Sequence, residues 1–236
     1  MRIGLFITCV NDLVYPATGV AVTRILRGLG HTVEFPAGQT CCGQLHANSG
    51  YRRAALPLVH GFAAAFAGYD AVVSPSGSCV AMVREWYPRL VPDTAALAAR
   101  VYELSELLVD VLGVTDLGAR YPYRVTYHPT CHGLRVLRLG DRPLRLLRAV
   151  RDIELVDLPA AGECCGFGGT FALRNAEVSA AMLADKCGHV TGTGAGVLTA
   201  ADNSCLAHIG GGLSRTRAAV RAVHYAQILA GTAGAP

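Results

Sequence analysis

Apolar and polar positions along the chain fall into two kinds of run. Short stretches rich in apolar residues, over 3–8, 32–35, 71–74, 124–127, 153–158 and 196–199, are bounded by Gly, Pro or polar residues and predict strands. Between them, apolar residues recur every three or four positions and predict helices over 17–29, 51–66, 94–112, 143–150, 177–186 and 215–230. In the 94–112 stretch, Leu97, Val101, Leu104, Leu107, Leu108 and Val111 share one helical face. Gly30 supplies a stop for the first helix, Pro75 ends the third strand, and Pro143 stands at a helix start with Asp141 as candidate cap. Strands that alternate with helices predict βαβ units, an α/β fold and parallel sheets.

The same pattern occurs twice. Cysteines stand at 9, 41, 42, 79, 131, 164, 165, 187 and 205, and the first four map onto 131, 164, 165 and 205 with offsets of 122, 123, 123 and 126. Their flanks repeat as well. Thr8-Cys9 matches Thr130-Cys131, and Ser78-Cys79 matches Ser204-Cys205. Pro36 and Pro159 each precede a Cys-Cys-Gly triplet by five residues. The chain therefore reads as an internal duplication of two βαβ-type cysteine-rich halves, 1–118 and 119–236, each with a parallel sheet and related by pseudo-two-fold symmetry. Gly113, Asp116 and Gly118 mark the loop between them.

Composition narrows the function classes. The 236 residues are 52% hydrophobic and 16% charged, which suffices for a core and excludes disorder. Mean hydropathy is high at +0.35, yet the longest apolar run, over 54–68, is broken by Pro57 and His60 and is too short to span a bilayer. The first ten residues do not form a secretory signal, so a cytoplasmic location is expected. In that reducing compartment a cysteine set points to metal binding or catalysis rather than disulfides. The net charge of +4 comes from twenty arginines and one lysine, Lys186, against 17 acids spread along the chain, with no nucleic-acid tail. Arginines 135, 138, 142, 145, 148 and 151 recur at helical spacing as a solvated face, or alternatively a docking surface for an acidic partner.

Each cysteine group follows the C-terminal ends of strands, where open α/β sheets bind their ligands. Cys9, Cys41, Cys42 and Cys79 form one candidate site; Cys131, Cys164, Cys165 and Cys205 form the other. Burial as small hydrophobes accounts for Cys187, which has no counterpart, but not for a duplicated set of four. A Cys₄ zinc site normally uses spaced pairs such as C-x₂-C, whereas the local pair here is vicinal. Adjacent residues of an extended segment face opposite ways, so a polynuclear iron-sulfur cluster, with separate irons for neighbouring thiolates, is favoured over zinc. Gly43 and Gly166 allow positive φ beside each pair, and Gly166-Phe167-Gly168-Gly169 offers backbone N–H groups to sulfur. Gly192-Thr193-Gly194-Ala195-Gly196 precedes a strand instead of joining strand to helix, which excludes a dinucleotide fingerprint. His128 and His132 flank Cys131 as candidate donors to a cluster sulfur; the plainer reading of both is a satisfied structural histidine. His46, His208 and His224 carry weaker cases.

These segments resemble a known family. Gln39-Thr40-Cys41-Cys42-Gly43-Gln44, Pro75-Ser76-Gly77-Ser78-Cys79, His128-Pro129-Thr130-Cys131-His132, the run from Cys164 to Phe171 and Asp202-Asn203-Ser204-Cys205-Leu206 are similar to the cysteine-rich CCG domains of heterodisulfide reductases and of glycolate oxidase iron-sulfur subunits, and most of all to lactate-utilisation members of that family. The resemblance implies an iron-sulfur electron-transfer subunit of a complex oxidising L-lactate to pyruvate, active only with its partners, a ferredoxin-like iron-sulfur subunit and a third small subunit. It implies Cys9, Cys41, Cys42, Cys79, Cys131, Cys164, Cys165 and Cys205 as ligands of one or two 4Fe-4S clusters, with zinc possible at one site. In heterodisulfide reductase each repeat ends in C-x-x-C; here Ser76 and Asp202 occupy the first of those positions, which disfavours thiol-disulfide chemistry. A zinc-stabilised scaffold is the alternative from another class.

Overall fold

The computed structural model describes residues 1–235, which form two compact units, one spanning Met1–Gly113 and a second beginning at Val114. Unit 1 runs β1 (Arg2–Leu5), α1 (Cys9–Val14), α2 (Pro16–Gly28), β2 (Thr32–Glu34), α3 (Gln44–Asn48), α4 (Arg52–Phe66), β3 (Ala71–Ser74), α5 (Gly77–Leu90), α6 (Ala95–Ala98), β4 (Val101–Glu103) and α7 (Leu104–Glu106). Unit 2 runs β5 (Arg124–His128), α8 (Arg142–Arg148), β6 (Glu154–Val156), α9 (Phe171–Arg174), α10 (Ala176–Gly192), β7 (Val197–Ala200), α11 (Asn203–Arg215), β8 (Arg221–His224) and α12 (Tyr225–Leu229). Each unit holds one four-stranded, all-parallel sheet, ordered β2-β1-β3-β4 and β6-β5-β7-β8. The same order in both units completes the duplicated α/β fold.

Because helices cover parallel strands, the central strands read as unbroken apolar runs. All four residues of β3 and all four of β7 are buried. In unit 1 the core is aromatic. Phe6 sits edge-on to Phe62 and Phe66, with centroids 4.9 and 5.6 Å away, and Phe62 meets Tyr87 at 5.3 Å. Unit 2 fills the corresponding layer between β7, α10 and α11 with aliphatic residues, among them Leu198, Leu206, Ile209 and Leu213, and with Cys187.

Two predicted helices are corrected. The 94–112 stretch is broken: after the short α6 it becomes strand β4, pairing Val101 with Val72 and Glu103 with Ser74, and only then returns to helical turns. Helical spacing of its apolar residues is coincidental, because the buried strand and the turns on either side face the same core; Val111, by contrast, is exposed. The 215–230 stretch fails likewise. Helix α11 ends at Arg215, β8 pairs with β7, and only Tyr225–Leu229 is helical. Helices α5 and α11, which begin two residues before Cys79 and Cys205, had no predicted counterpart. Asp141 occupies the N-cap position of α8 but its side chain makes no capping bond; Pro143 in the first turn instead fixes the start. Arginines 135, 138, 145, 148 and 151 are exposed and Arg142 is half-buried, as a solvated face requires.

Candidate metal centres

Every cysteine but Cys187 lies in a segment that follows a strand. In unit 1, Cys9 opens α1 just after β1, Cys41 and Cys42 lie in the loop from β2 to α3, and Cys79 lies in the first turn of α5, just after β3. Gln39 fastens the pair's loop to the end of β1. Its side-chain carbonyl accepts the Ile7 N–H at 2.9 Å, and its amide donates to the Leu5 carbonyl at 3.0 Å. Gln44 donates to the Ser78 carbonyl at 3.1 Å, joining the same loop to the β3–α5 turn. Unit 2 repeats the plan, with Cys131 after β5, Cys164 and Cys165 between β6 and α9, and Cys205 in the first turn of α11.

The sulfurs of each unit are neighbours in series. In unit 1 Cys9 interacts with Cys41 and Cys41 with Cys42, and the Cys42 and Cys79 thiols hydrogen-bond at 3.2 Å. In unit 2 the order is Cys131, Cys164, Cys165, Cys205. The vicinal pair therefore splits in both units: its first sulfur turns to the exposed or half-buried cysteine after the first strand, its second to the buried one at the helix start. Cys187 is outside both groups, buried with its Sγ 3.7 Å from the Ile209 carbonyl, as the core reading required.

Thiolate character concentrates on the first residue of each pair. Hydrogen bonds from Cys42 and Cys9 lower the Cys41 thiol to about 2; those from Cys131 and Cys165 lower Cys164 to about 2. The N–H groups of Gly43 and Gly166 point at these sulfurs from 3.4 Å and add to the effect. Cys9, Cys42, Cys131 and Cys165 move up, chiefly because each hydrogen-bonds the neighbouring sulfur and because burial disfavours charge. Holding both glycine N–H groups in place takes left-handed backbone, with φ +83° at Gly43 and +90° at Gly166.

Ser76 and Asp202 act as N-caps. Ser76 Oγ accepts the Cys79 N–H at 3.4 Å, and Asp202 Oδ1 accepts the Ser204 N–H at 3.0 Å. The histidines divide. His132 Nδ1 lies 3.7 Å from Cys131 Sγ, His208 Nε2 lies 3.4 Å from Ser179 Oγ, and His224 caps α12 by accepting the Ala226 N–H. His46 is half-buried, and its nearest influence is on Cys41. His128 departs from the satisfied-histidine reading: it is 1% exposed, and neither ring nitrogen has a hydrogen-bond partner. A ring nitrogen of His128 and the sulfurs of Cys165 and Cys205 all lie within 4.8 Å of one another. Sequence alone could not separate His128 from His132, since both flank the same cysteine.

The donor set fits a thiolate-bound metal centre in each unit: four cysteines, a glycine N–H aimed at one of their sulfurs, and, in unit 2, an unpaired buried imidazole. Among the described residues no helix is long and apolar enough to cross a membrane.

Comparison with known proteins agrees with this plan. The sequence matches the cysteine-rich CCG domain twice, over residues 3–84 and 125–210. Proteins named lactate utilization protein A are 46% identical in Oceanobacillus iheyensis, over 97% of this chain and 96% of that protein, and 46% identical in Geobacillus kaustophilus, over 97% and 98%. The namesake of Bacillus velezensis is 43% identical over 97% and 99%. Among solved structures, an ABC transporter solute-binding protein from Conexibacter woesei, with 18% identity and a TM-score of 0.29 over 94% of this chain and 69% of that one, is too remote to bear on fold or function. The chain belongs to the cysteine-rich CCG domain family and carries two copies of that domain in one polypeptide.

Proposed function

We propose that the chain is an iron-sulfur electron-transfer subunit that serves the oxidation of L-lactate to pyruvate. The observation that carries this reading is the division of each vicinal pair between two partner sulfurs, repeated in both units. A single ion would draw four sulfurs around one point; a polynuclear cluster offers separate irons to Cys41 and Cys42, and to Cys164 and Cys165. Cys9, Cys41, Cys42 and Cys79 would hold one cluster and Cys131, Cys164, Cys165 and Cys205 the other. A bound 4Fe-4S cluster supplies reversible one-electron chemistry. The protein's own part is to present thiolates, to direct the Gly43 and Gly166 N–H groups at sulfur, and to bury Cys42, Cys79, Cys165 and Cys205 away from water. Cys9 is exposed, so the first unit offers an edge from which an electron can leave toward a partner.

Near-full-length identity to proteins named for lactate utilisation supports lactate as the donor, and the family resemblance supports a ferredoxin-like iron-sulfur subunit and a third small subunit as partners. Use of Ser76 and Asp202 as helix caps argues against disulfide reduction, since neither position carries a fifth thiol. Purification without air, with iron, sulfide and zinc assayed, tests the cluster. The reading expects about four irons and four sulfides per centre. Zinc at about one per centre with no acid-labile sulfide supports the scaffold alternative and refutes the cluster. Growth of a deletion strain on L-lactate against glycolate tests the donor: loss on glycolate alone refutes lactate.

A further inference from the structure

The two centres differ in one buried group. The offset of 122 that relates Cys131 to Cys9 places Phe6 where His128 stands, and Phe6 is packed among Phe62 and Phe66. Unit 2 thus brings a nitrogen to a position where unit 1 has only hydrocarbon. Other buried polar groups on that side of unit 2 are engaged: Lys186 donates to the Ala160 carbonyl at 2.8 Å, and Asp202 accepts from the Ser204 N–H and hydroxyl. His128 remains with both nitrogens unpaired and 1% exposure, beside Cys165 and Cys205. An unmade hydrogen bond on a buried polar group is costly, and two sulfurs are the nearest remedy.

We infer that His128 donates a ring N–H to the sulfur of the unit 2 centre and thereby gives that centre a higher reduction potential than it would have with an apolar residue at 128, a tuning that unit 1 lacks. This rests on the iron-sulfur reading above. Four thiolates already satisfy four irons, so the imidazole has no metal position left to fill and acts through its proton. A neutral imidazole carries one ring N–H to give, and the unpaired nitrogens of His128 lie beside the Cys165 and Cys205 sulfurs. A hydrogen bond to sulfur favours the reduced, more negative cluster.

The experiment is a redox titration followed by electron paramagnetic resonance on the whole chain purified without air, wild type beside His128→Phe, with iron and sulfide measured on the same samples. The inference expects two reducible components. His128→Phe shifts one of them to lower potential and leaves the other in place. Iron and sulfide per chain stay unchanged. Both components moving together, or neither moving, overturns it. Because the variant places a bulky ring in a packed site, wild-type protein labelled with ¹⁵N-histidine provides a second test. Weak nitrogen coupling to one cluster is expected; no coupling, or the strong coupling of a directly bound nitrogen, overturns the hydrogen-bond assignment. Absence of iron and sulfide from wild type refutes the cluster reading itself and is separately visible.

Discussion

Alanine at the two glycines that follow the cysteine pairs separates backbone strain from collision. Gly43 and Gly166 hold equivalent places and nearly equal φ, +83° and +90°, so the left-handed conformation penalises a Cβ at each by about 1–2 kcal/mol. Their surroundings differ. A Cβ on Gly43 would meet Ala55 Cβ and Leu58 Cδ1 at 3.4 Å, a tight but tolerable contact. On Gly166 it would stand 2.7 Å from the Ser179 carbonyl oxygen and 3.1 Å from Met182 Cβ. That oxygen belongs to α10, whose backbone must move, and the movement strains the bond from Ser179 Oγ to the Gly166 carbonyl, now 2.8 Å. Such overpacking adds about 1–3 kcal/mol. Gly43→Ala is therefore expected to cost about 1.5 kcal/mol and Gly166→Ala about 3.5 kcal/mol. With roughly 4 °C per kcal/mol for a unit of this size, the melting shifts are about 6 and 14 °C. Differential scanning calorimetry of the metal-free chain reads both. Trp86, the sole tryptophan, sits in α5, and its emission follows unit 1 separately. Equal shifts, or a larger one at Gly43, would refute the claim that the α10 carbonyl sets the difference.

Three further outcomes follow from the same geometry. Cys42→Ser and Cys165→Ser should each remove about half of the bound iron, one centre of two, whereas Cys187→Ser should retain all of it; comparable losses from all three would overturn the partition of the thiols. Arg84 reaches both oxygens of Glu106, at 2.8 and 2.9 Å, and Glu106 is buried and also accepts the Glu103 N–H, so Arg84→Met should destabilise unit 1 by about 2 kcal/mol in urea unfolding, with Arg84→Lys recovering part. Glu34 is held below its ordinary value of 4.5 by hydrogen bonds from Arg2 and then Tyr69. The folded unit therefore binds fewer protons there than the unfolded chain, and the stability this group contributes is complete above 4.5 and lost as pH falls through the lower folded value. Glu34→Gln should flatten the acid limb of the unit 1 stability profile; an unchanged limb would exclude that linkage.

The duplicated cysteines and their flanks made the grouping of cysteines at strand ends legible in the sequence itself, because the same residues recur at the same strand ends in both copies. The fourth strand of each unit was not legible, and both copies conceal it in the same way. Val101-Tyr102-Glu103 and Arg221-Ala222-Val223-His224 are three- and four-residue strands set between helical turns. Their few buried side chains extend the neighbouring helical period instead of interrupting it. Helices α5 and α11 were hidden for a different reason. Pro88 inside α5 and three consecutive glycines, Gly210, Gly211 and Gly212, inside α11 are poor helix formers, and packing decides there against propensity. The role of His128 needed three dimensions, since its distinction lies in what does not touch it.

The residue before the first sulfur of each group is a threonine with positive φ, +72° at Thr8 and +59° at Thr130. Thr8 also has ψ 154°, a region that glycine alone enters freely, and both side chains are buried. A β-branched residue there costs about 1–3 kcal/mol, and the chain bears it twice. Each threonine acts as a preset detent: it fixes the direction in which the polypeptide leaves its strand and so where Cys9 or Cys131 arrives. A glycine at either place would relieve that strain and loosen the approach to the first sulfur, and at 130 it would also remove the bond that Thr130 Oγ1 accepts from the Gly133 N–H at 3.1 Å. Backbone strain at two strand ends thus goes with a fixed arrival point for Cys9 and for Cys131.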